Sequence, residues 1–340
     1  MQRLLTRNHI WSSLLGFALV LVSSSALAQY KVFPLVSNLS GTAHTDPLLQ
    51  NPWGLAYAPG DAFWVSDEAS GWSTLYNGQG APQSLQVFVP AASGAGAGSP
   101  TGLVYNGSSE FAIHSWPSAF IFATLDGTIQ GWSPFNAGGT STLIAVTVPG
   151  ASYTGLAVTN YSSGNFLYAA DANNNKVDVY DGNFNLVNTL TDPTVPAGFA
   201  PFGVADIAGR VYVSFAATDG GPGGYIDVFT ESGTLARHLT HGEPLNQPWG
   251  FAIAPGNFGP LSGALLITNN ATVGNINAFD RETGTHVGTM KGTDGKPVNI
   301  NGIWGIEFGG GSTNNGEKNQ LFFTAGPNDA NGYFGVIAFQ

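Results

Sequence analysis

The chain has 340 residues, of which 47 are glycine and none is cysteine, and its formal net charge is −11. The lack of cysteine excludes disulfides, thiol nucleophiles and thiolate metal sites. The excess of acidic residues argues against nucleic acids and anionic membranes as partners, because such a surface repels a polyanion.

The first 28 residues have the layout of a cleavable secretory signal peptide. Arg3 and Arg7 precede the apolar run WSSLLGFALVLV, and the small residues Ala26 and Ala28 follow it. The run is shorter than the ~20 residues that a membrane span requires, so we expect cleavage after Ala28. The sequence predicts that residues 29–340 form a single secreted or periplasmic domain, with a formal charge of −13 once Arg3 and Arg7 are removed.

Residues 51–60, NPWGLAYAPG, are nearly repeated at 247–256 as QPWGFAIAPG. Weaker copies begin at 99, 152, 200 and 301, and every copy has a glycine in the same place. These glycines, 47 to 55 residues apart, are Gly54, Gly102, Gly155, Gly203, Gly250 and Gly305. The chain therefore contains six units of about fifty residues each.

Each unit holds further short apolar runs separated by turn residues, as in FLYAAD (166–171) and KVDVYDG (176–182). Four short strands per unit are typical of a propeller blade, and long helical patterns are absent after residue 28. The sequence therefore predicts an all-β, six-bladed β-propeller. In unit two, AFIFATLD matches the second strand, which makes SSEFAIHSWPS an insertion before it.

The sixth unit ends on YFGVIAFQ, its third strand, and lacks a fourth. A strand-like segment without a blade of its own, YKVFPLVS (30–37), lies at the start of the mature chain. We expect these two segments to pair, which closes the ring and removes two exposed sheet edges.

Unit three, FLYAADANNNKVDVYDG, resembles the NHL repeat in its order of apolar, Tyr-x-Ala-Asp, Asn-rich turn and basic positions. Residues 30–340 as a whole resemble secreted bacterial NHL-like propellers without an assigned activity. This resemblance implies the fold and says little about function, because propellers host unrelated activities.

In a propeller, the segments before the innermost strands and those after the second strands meet on one face, around the central channel. We call this the upper face and predict a ligand site there. The candidate ligand-binding residues are Asn51, Trp53, Asp67, Glu68, Asp171, Asn173, Trp249, Asn269, Asn301 and Trp304. Three alternatives remain: the three tryptophans pack between blades, Asp67 and Glu68 are solvated surface acids, and Asp171 caps its own turn.

Four of these candidates, Asp67, Glu68, Asp171 and Asn269, offer the oxygen ligands that Ca²⁺ prefers. A metal site of this kind would resemble that of gluconolactonase-type propellers, although the motifs of that family are not matched. The segment DANNNKVD (171–178) lacks the glycine and the glutamate of a calcium-binding EF-hand loop.

The sequence shows no zinc-type histidine spacing, no Gly-x-Ser-x-Gly motif and no phosphate-binding loop. His238 and His241 fall on an outer strand, where we expect them to be solvated. The leading hypothesis is a monomeric exported propeller that binds a glycan, peptide or protein. The alternative is a divalent-metal hydrolase or lactonase, and a structural role in the envelope is a third possibility.

Overall fold

The computed structural model describes residues 29–161 and 164–340. The predicted signal peptide, residues 1–28, lies outside the described residues. Strands dominate, and the three helices of this part of the chain are single 3-10 turns, Ala137–Gly139, Gly259–Leu261 and Pro327–Asp329. None of its helices is long and apolar enough to cross a membrane.

The strands of the first half form three blades. The chain starts with β1 (Tyr30–Ser37) and β2 (His44–Thr45). Blade 1 contains β3 (Pro52–Tyr57), β4 (Phe63–Asp67), β5 (Trp72–Tyr76) and β6 (Val87–Phe88). Blade 2 contains β7 (Pro100–Tyr105) and, after the hairpin of β8 (Ala112–Ile113) and β9 (Trp116–Pro117), β10 (Phe120–Thr124), β11 (Thr128–Trp132) and β12 (Leu143–Thr147). Blade 3 contains β13 (Tyr153–Tyr161), β14 (Gly164–Asp171), β15 (Lys176–Asp181) and β16 (Leu186–Leu190).

The second half supplies the other three blades. Blade 4 contains β17 (Phe199–Asp206), β18 (Arg210–Ala217), β19 (Tyr225–Thr230) and β20 (Leu235–His241). Blade 5 contains β21 (Pro248–Ile253), β22 (Leu265–Asn269), β23 (Ile276–Phe279) and β24 (His286–Thr289). Blade 6 contains β25 (Ile303–Phe308), β26 (Gln320–Ala325) and β27 (Tyr333–Phe339). The six-bladed propeller, its antiparallel blades and the insertion in unit two are confirmed.

Blade 6 is completed by the N-terminal strand, as the sequence predicts. β1 pairs antiparallel with β27 from Tyr30 opposite Phe339 to Ser37 opposite Tyr333. A bulge between Pro34 and Val36 interrupts the register, in keeping with the missing N–H of proline. One feature was not predicted: β2 adds a short fifth strand, parallel to β1, at the outer edge.

The hydrophobic core lies between neighbouring blades. Between blades 1 and 2, for example, the Trp64 ring stacks on Phe120 at 4.1 Å and lies 4.6 Å from Trp132. Tyr30 joins the closing strand to blade 5, because its hydroxyl donates to the carbonyl oxygen of Phe258 at 2.6 Å and accepts from the backbone N–H of Leu261 at 3.2 Å. Closure of the ring thus uses side-chain contacts as well as strand pairing.

The six repeated glycines mark where the innermost strands of adjacent blades touch. A Cβ atom on any of them would lie under 3.0 Å from a backbone atom of the next blade, a distance that real Cβ atoms essentially never show. At Gly250 the obstructing atom is the carbonyl oxygen of Trp304, 2.5 Å away, and at Gly54 it is that of Thr101, also 2.5 Å away. This close approach of backbones explains why every repeat has a glycine at this position.

Hydroxyl groups on the second strands link three blade pairs at the same level. Ser214 donates to the carbonyl oxygen of Pro248 at 2.7 Å and accepts from the N–H of Gly203 at 2.8 Å. Thr268 and Thr324 repeat this arrangement in blades 5 and 6, donating to the carbonyl oxygens of Trp304 and Trp53. Each hydroxyl binds its own blade to the next, and the last of these links crosses the closure.

We expect Gly203→Ala to destabilise the protein by about 1–3 kcal/mol, the usual cost of overpacking. The new methyl group meets the carbonyl oxygen of Trp249, a backbone atom that cannot swing aside. Gly288→Ala is the matched control, because a Cβ there meets nothing within 4 Å. Urea unfolding of the three proteins checks this, and equal midpoints for parent and Gly203→Ala would contradict it.

Candidate functional site

Three tryptophans close the channel at the upper face. Trp53, Trp249 and Trp304 stand at the start of innermost strands and are only 7%, 8% and 3% exposed. Trp53 and Trp304 stack with ring centres 3.6 Å apart, and Trp249 lies edge-on to both at 6.1 and 5.6 Å. Leu125 and Phe202 pack around them. We call these five side chains the tryptophan plug.

Hydrogen bonds hold two of the three indoles in place. Trp304 Nε1 donates to Asn51 Oδ1 at 3.1 Å, and Asn51 Nδ2 donates to Glu68 Oε2 at 2.8 Å. Trp249 Nε1 donates to the carbonyl oxygen of Thr154 at 2.9 Å. Trp53 Nε1 is buried without a hydrogen-bond partner. Asn51 and Glu68, predicted as ligand residues, therefore take part in fixing the plug.

The other predicted acids and amides bond to their own blade or to the connection that leads into it. Asp67 Oδ2 accepts the N–H of Thr74 at 3.0 Å, and burial raises the pKa of Asp67 well above its usual range. Asp171 accepts the N–H groups of Ser152 and Asn174 at 3.1 and 3.2 Å, which is the turn-capping alternative considered for it. Asn269 Nδ2 donates to the carbonyl oxygen of Pro244 at 2.7 Å.

The three acids among the predicted calcium ligands, Asp67, Glu68 and Asp171, do not lie together at one point. Within residues 29–161 and 164–340, no trio of acidic or histidine side chains that includes Asp67, Glu68 or Asp171 has its ligand atoms within 4.8 Å of one another. Asn173 and Asn301 are exposed. Ligand binding and metal binding by these upper-face residues stay predictions.

A cavity of about 430 Å³ occupies the channel on the other side of the plug. Its walls are the second halves of the six innermost strands, and Trp249 of the plug is among its lining residues. Its apolar lining includes Leu55, Leu103, Leu156, Val204, Phe251 and Ile306. Its polar lining groups include Tyr57, Tyr105, Asp206 and Glu307. We call this the channel cavity; its size is in the usual range for small-molecule sites.

Glu307 is the residue that sets the electrostatics of the channel cavity. Protein atoms surround it although its side chain stays partly accessible through the channel, and this burial raises its pKa to about 7, against the opposing effect of a backbone N–H at Phe308. Burial, with the charge of Glu307 as a second cause, raises the pKa of Tyr57 to about 12. None of the ion pairs found in the described part of the chain includes Glu307.

Such a carboxyl group, which titrates near neutral pH beside the channel cavity, can hold a hydroxyl or amine group and can exchange a proton with it. The sequence analysis missed Glu307 because its repeat position is inconspicuous. Two residues after the register glycine, the other blades carry small apolar residues, namely Ala56, Val104, Ala157, Ala205 and Ala252. The one acid at this position was the available signal.

Two sequence relatives come from Acanthamoeba polyphaga mimivirus. The uncharacterized protein R648 is 31% identical over 325 residues, which cover 88% of this chain and 78% of R648. The uncharacterized protein L690 is 31% identical over 305 residues, which cover 83% of this chain and 79% of L690. The chain matches no family model.

Solved structures share the propeller architecture at low sequence identity. The PQQ-bound aldose sugar dehydrogenase of Streptomyces coelicolor aligns with a TM-score of 0.58 at 14% identity, over 92% of this chain and 99% of the dehydrogenase. The gluconolactonase XC5397 of Xanthomonas campestris aligns with a TM-score of 0.55 at 15% identity, over 86% of this chain and 88% of the gluconolactonase. A streptogramin B lyase aligns with a TM-score of 0.54 at 14% identity, over 94% of this chain and 100% of the lyase. At these identities the likeness shows a common fold.

We expect Glu307→Gln to change how stability depends on pH. Between its ordinary pKa of 4.5 and the folded value of about 7, the folded state keeps a proton that the unfolded state has released. The parent therefore loses stability through this group as the pH rises from about 4.5 to 7. Glutamine stays neutral, so the variant should melt above the parent at pH 8, with the difference shrinking toward pH 5.

The exposed Glu317→Gln serves as the control, because Glu317 lies on a surface loop outside the cavity. Melting temperatures of all three proteins from pH 5 to pH 8 make the comparison. Parallel profiles for parent and Glu307→Gln would show that the carboxyl group titrates normally.

Proposed function

This chain belongs to the family of the mimiviral proteins R648 and L690, and within that family we propose that it is an exported binding protein. It holds a small organic ligand with hydroxyl or amine groups in the channel cavity. The observation that carries the proposal is that Glu307, whose pKa is raised to about 7, lines a cavity of about 430 Å³ in the channel.

The lining of the channel cavity selects the chemistry of the ligand. Leucine, isoleucine and phenylalanine side chains suit the C–H faces of a ligand, while Tyr57, Tyr105 and Glu307 offer hydrogen bonds. The acids Asp206 and Glu307 and the net charge of the chain disfavour anions. Neutral sugars and the amino groups of peptides or amines therefore fit better than acidic ligands.

The tryptophan plug determines the side from which a ligand enters the channel cavity. Because the plug closes the upper face, the cavity is blind, and a ligand reaches it from the lower face, where the innermost strands end. A blind cavity suits the capture of a small molecule or of the end of a longer chain such as a glycan or peptide. A folded protein partner would contact the rim alone.

We expect thermal-shift screening of neutral disaccharides, primary amines and short peptides to find compounds that raise the melting temperature, since they bind the folded state alone. Uronic acids serve as the anionic contrast and should have no effect. Calorimetric titration of a hit should show weaker binding to Glu307→Gln and Tyr105→Phe, and unchanged binding to Glu317→Gln. Hits that bind Glu307→Gln as tightly as the parent would place the site elsewhere.

Export is part of the proposal, since a leader followed by a cleavage site motivates it. N-terminal sequencing of the protein recovered outside the cytoplasm should begin at Gln29. A protein that retained Met1 would contradict this assignment.

The divalent-metal hydrolase remains the alternative, with Ca²⁺ held on the upper face by ligands from among Asp67, Glu68, Asp171 and Asn269. The three acids do not share one point in this structure, so this alternative requires them to move together when the ion binds. It predicts that Ca²⁺ raises the melting temperature, that excess chelator lowers it, and that the double variant Asp67→Ala, Asp171→Ala loses the response. Identical melting of the parent protein in Ca²⁺ and in chelator would remove this alternative and leave the binding protein.

A further inference from the structure

A second group of ionisable side chains lies away from the channel, at the junction of blades 3 and 4. Asp192 follows β16 of blade 3, Asp227 stands in the middle of β19, and His238 faces it from β20. Their potential ligand atoms all lie within 4.8 Å of one another. We call these three residues the blade-4 cluster.

The geometry of the blade-4 cluster centres on one imidazole nitrogen. His238 Nδ1 lies 3.0 Å from Asp227 Oδ1 and 3.2 Å from Asp192 Oδ2. Asp192 Oδ1 is already used, because it accepts from the N–H and the hydroxyl of Thr194 at 2.8 and 2.7 Å. Asp192 therefore presents its Oδ2 atom to the cluster.

Both carboxylates are deeply buried and incompletely bonded. Asp227 is 1% exposed and the Asp192 side chain 0%, whereas the His238 side chain is 53% exposed. Asp227 Oδ2 is buried without a hydrogen-bond partner, and Asp192 Oδ2 is buried in ion-pair contact with His238 Nδ1 at 3.2 Å. If both carboxyl groups are ionised, they leave an excess of negative charge even beside a protonated imidazole, which is costly in a protein interior. The pair must therefore take up either a proton or a cation.

Other blades show how this position is normally satisfied. In blades 2 and 5 the equivalent position of the third strand holds an amide, Gln130 or Asn277. The amide oxygens accept hydrogen bonds from the hydroxyl groups of Thr142 and Thr289 at 2.6 and 2.7 Å. Blade 3 holds the acid Asp178, which has the ammonium group of Lys176 at 2.7 Å.

Blade 4 alone places an acid here opposite a second acid. The one cationic partner found for Asp227 in the described chain is His238, which it shares with Asp192. With both acids ionised, a positive charge is therefore missing at this point, which distinguishes blade 4 from blade 3.

We propose that Asp192, Asp227 and His238 bind a divalent transition-metal ion, of which Zn²⁺ is the best representative. The separations of 3.0 and 3.2 Å between ligand atoms are close to the edges of a tetrahedron with metal–ligand bonds of ~2.0 Å. One imidazole and two carboxylates suit Zn²⁺, Mn²⁺ or Co²⁺ better than Ca²⁺, which takes oxygen ligands alone. The exposed side of His238 leaves a route for the ion and for a water ligand.

The ion replaces the proton on His238 Nδ1 and supplies the missing charge. It joins two strands of blade 4 to the segment that leaves blade 3, so it fastens neighbouring blades on the outside of the ring. The site is independent of the channel cavity, whose lining contains none of its three residues.

The test uses full-length mature protein, stripped with chelator and titrated with Zn²⁺ against a chromophoric chelator. We expect one ion per chain, a melting temperature that rises with Zn²⁺, and a visible spectrum of bound Co²⁺ with a nitrogen ligand. Asp227→Asn, which copies Asn277 of blade 5, and His238→Gln should each weaken Zn²⁺ binding by more than about 10-fold, since loss of a supporting outer-shell group alone costs ~10–100-fold.

His286→Gln is the matched control, an exposed histidine on the outer strand of blade 5, and it should bind Zn²⁺ as the parent does. His238→Gln keeps the test decisive if Asp227→Asn fails to fold, because His238 is half exposed. No saturable binding, or equal affinity in parent and His238→Gln, would overturn the proposal. The proposal would also fail if Zn²⁺ left the melting temperature of the parent unchanged and Asp227→Asn were more stable than the parent. That result would indicate a proton shared between the two carboxylates.

Discussion

The contact between backbones at the six repeated glycines is the constraint on which this structure depends. The innermost strands approach so closely that a single methyl group would collide with the next blade. This approach brings the hydroxyls of Ser214, Thr268 and Thr324 within reach of a neighbour's carbonyl oxygen. It also makes the channel narrow enough for side chains to fill one end of it.

The two ends of the channel have different chemistry because the strand starts and strand ends carry different residues. Three indoles at the strand starts, packed ring on ring, shut the upper face. At the strand ends, tyrosine and acidic side chains surround open space. The two ends of the innermost strands therefore differ in chemistry. Glu307, whose carboxyl group titrates near neutral pH, lies on the cavity side of the tryptophan plug.

The sequence predicts the architecture well because sterically required glycines recur every 47 to 55 residues, and because the sixth unit lacks a fourth strand and needs a partner. Function is harder to predict from the same repeats. Glu307 occupies a position that holds alanine or valine in the other five blades. A search for shared features of the repeats therefore passes over it. His238 was expected to be solvated, and half of its side chain is. Its contacts with Asp192 and Asp227 depend on how the connection after blade 3 packs against blade 4, which local sequence patterns do not reveal.

The pairing of β1 with β27 has a consequence for the order of events when the ring forms. β1 is made before any blade, yet its partner is the last strand described in the chain. Until that strand is available, β1 has no sheet to join, and every blade pair formed meanwhile belongs to an open arc with two free edges. Pairing across such a sequence distance is slow, because the ends of the intervening chain must first be brought together. An unfinished arc therefore persists until the last strand is available, and local opening at this one seam afterwards exposes both edges together.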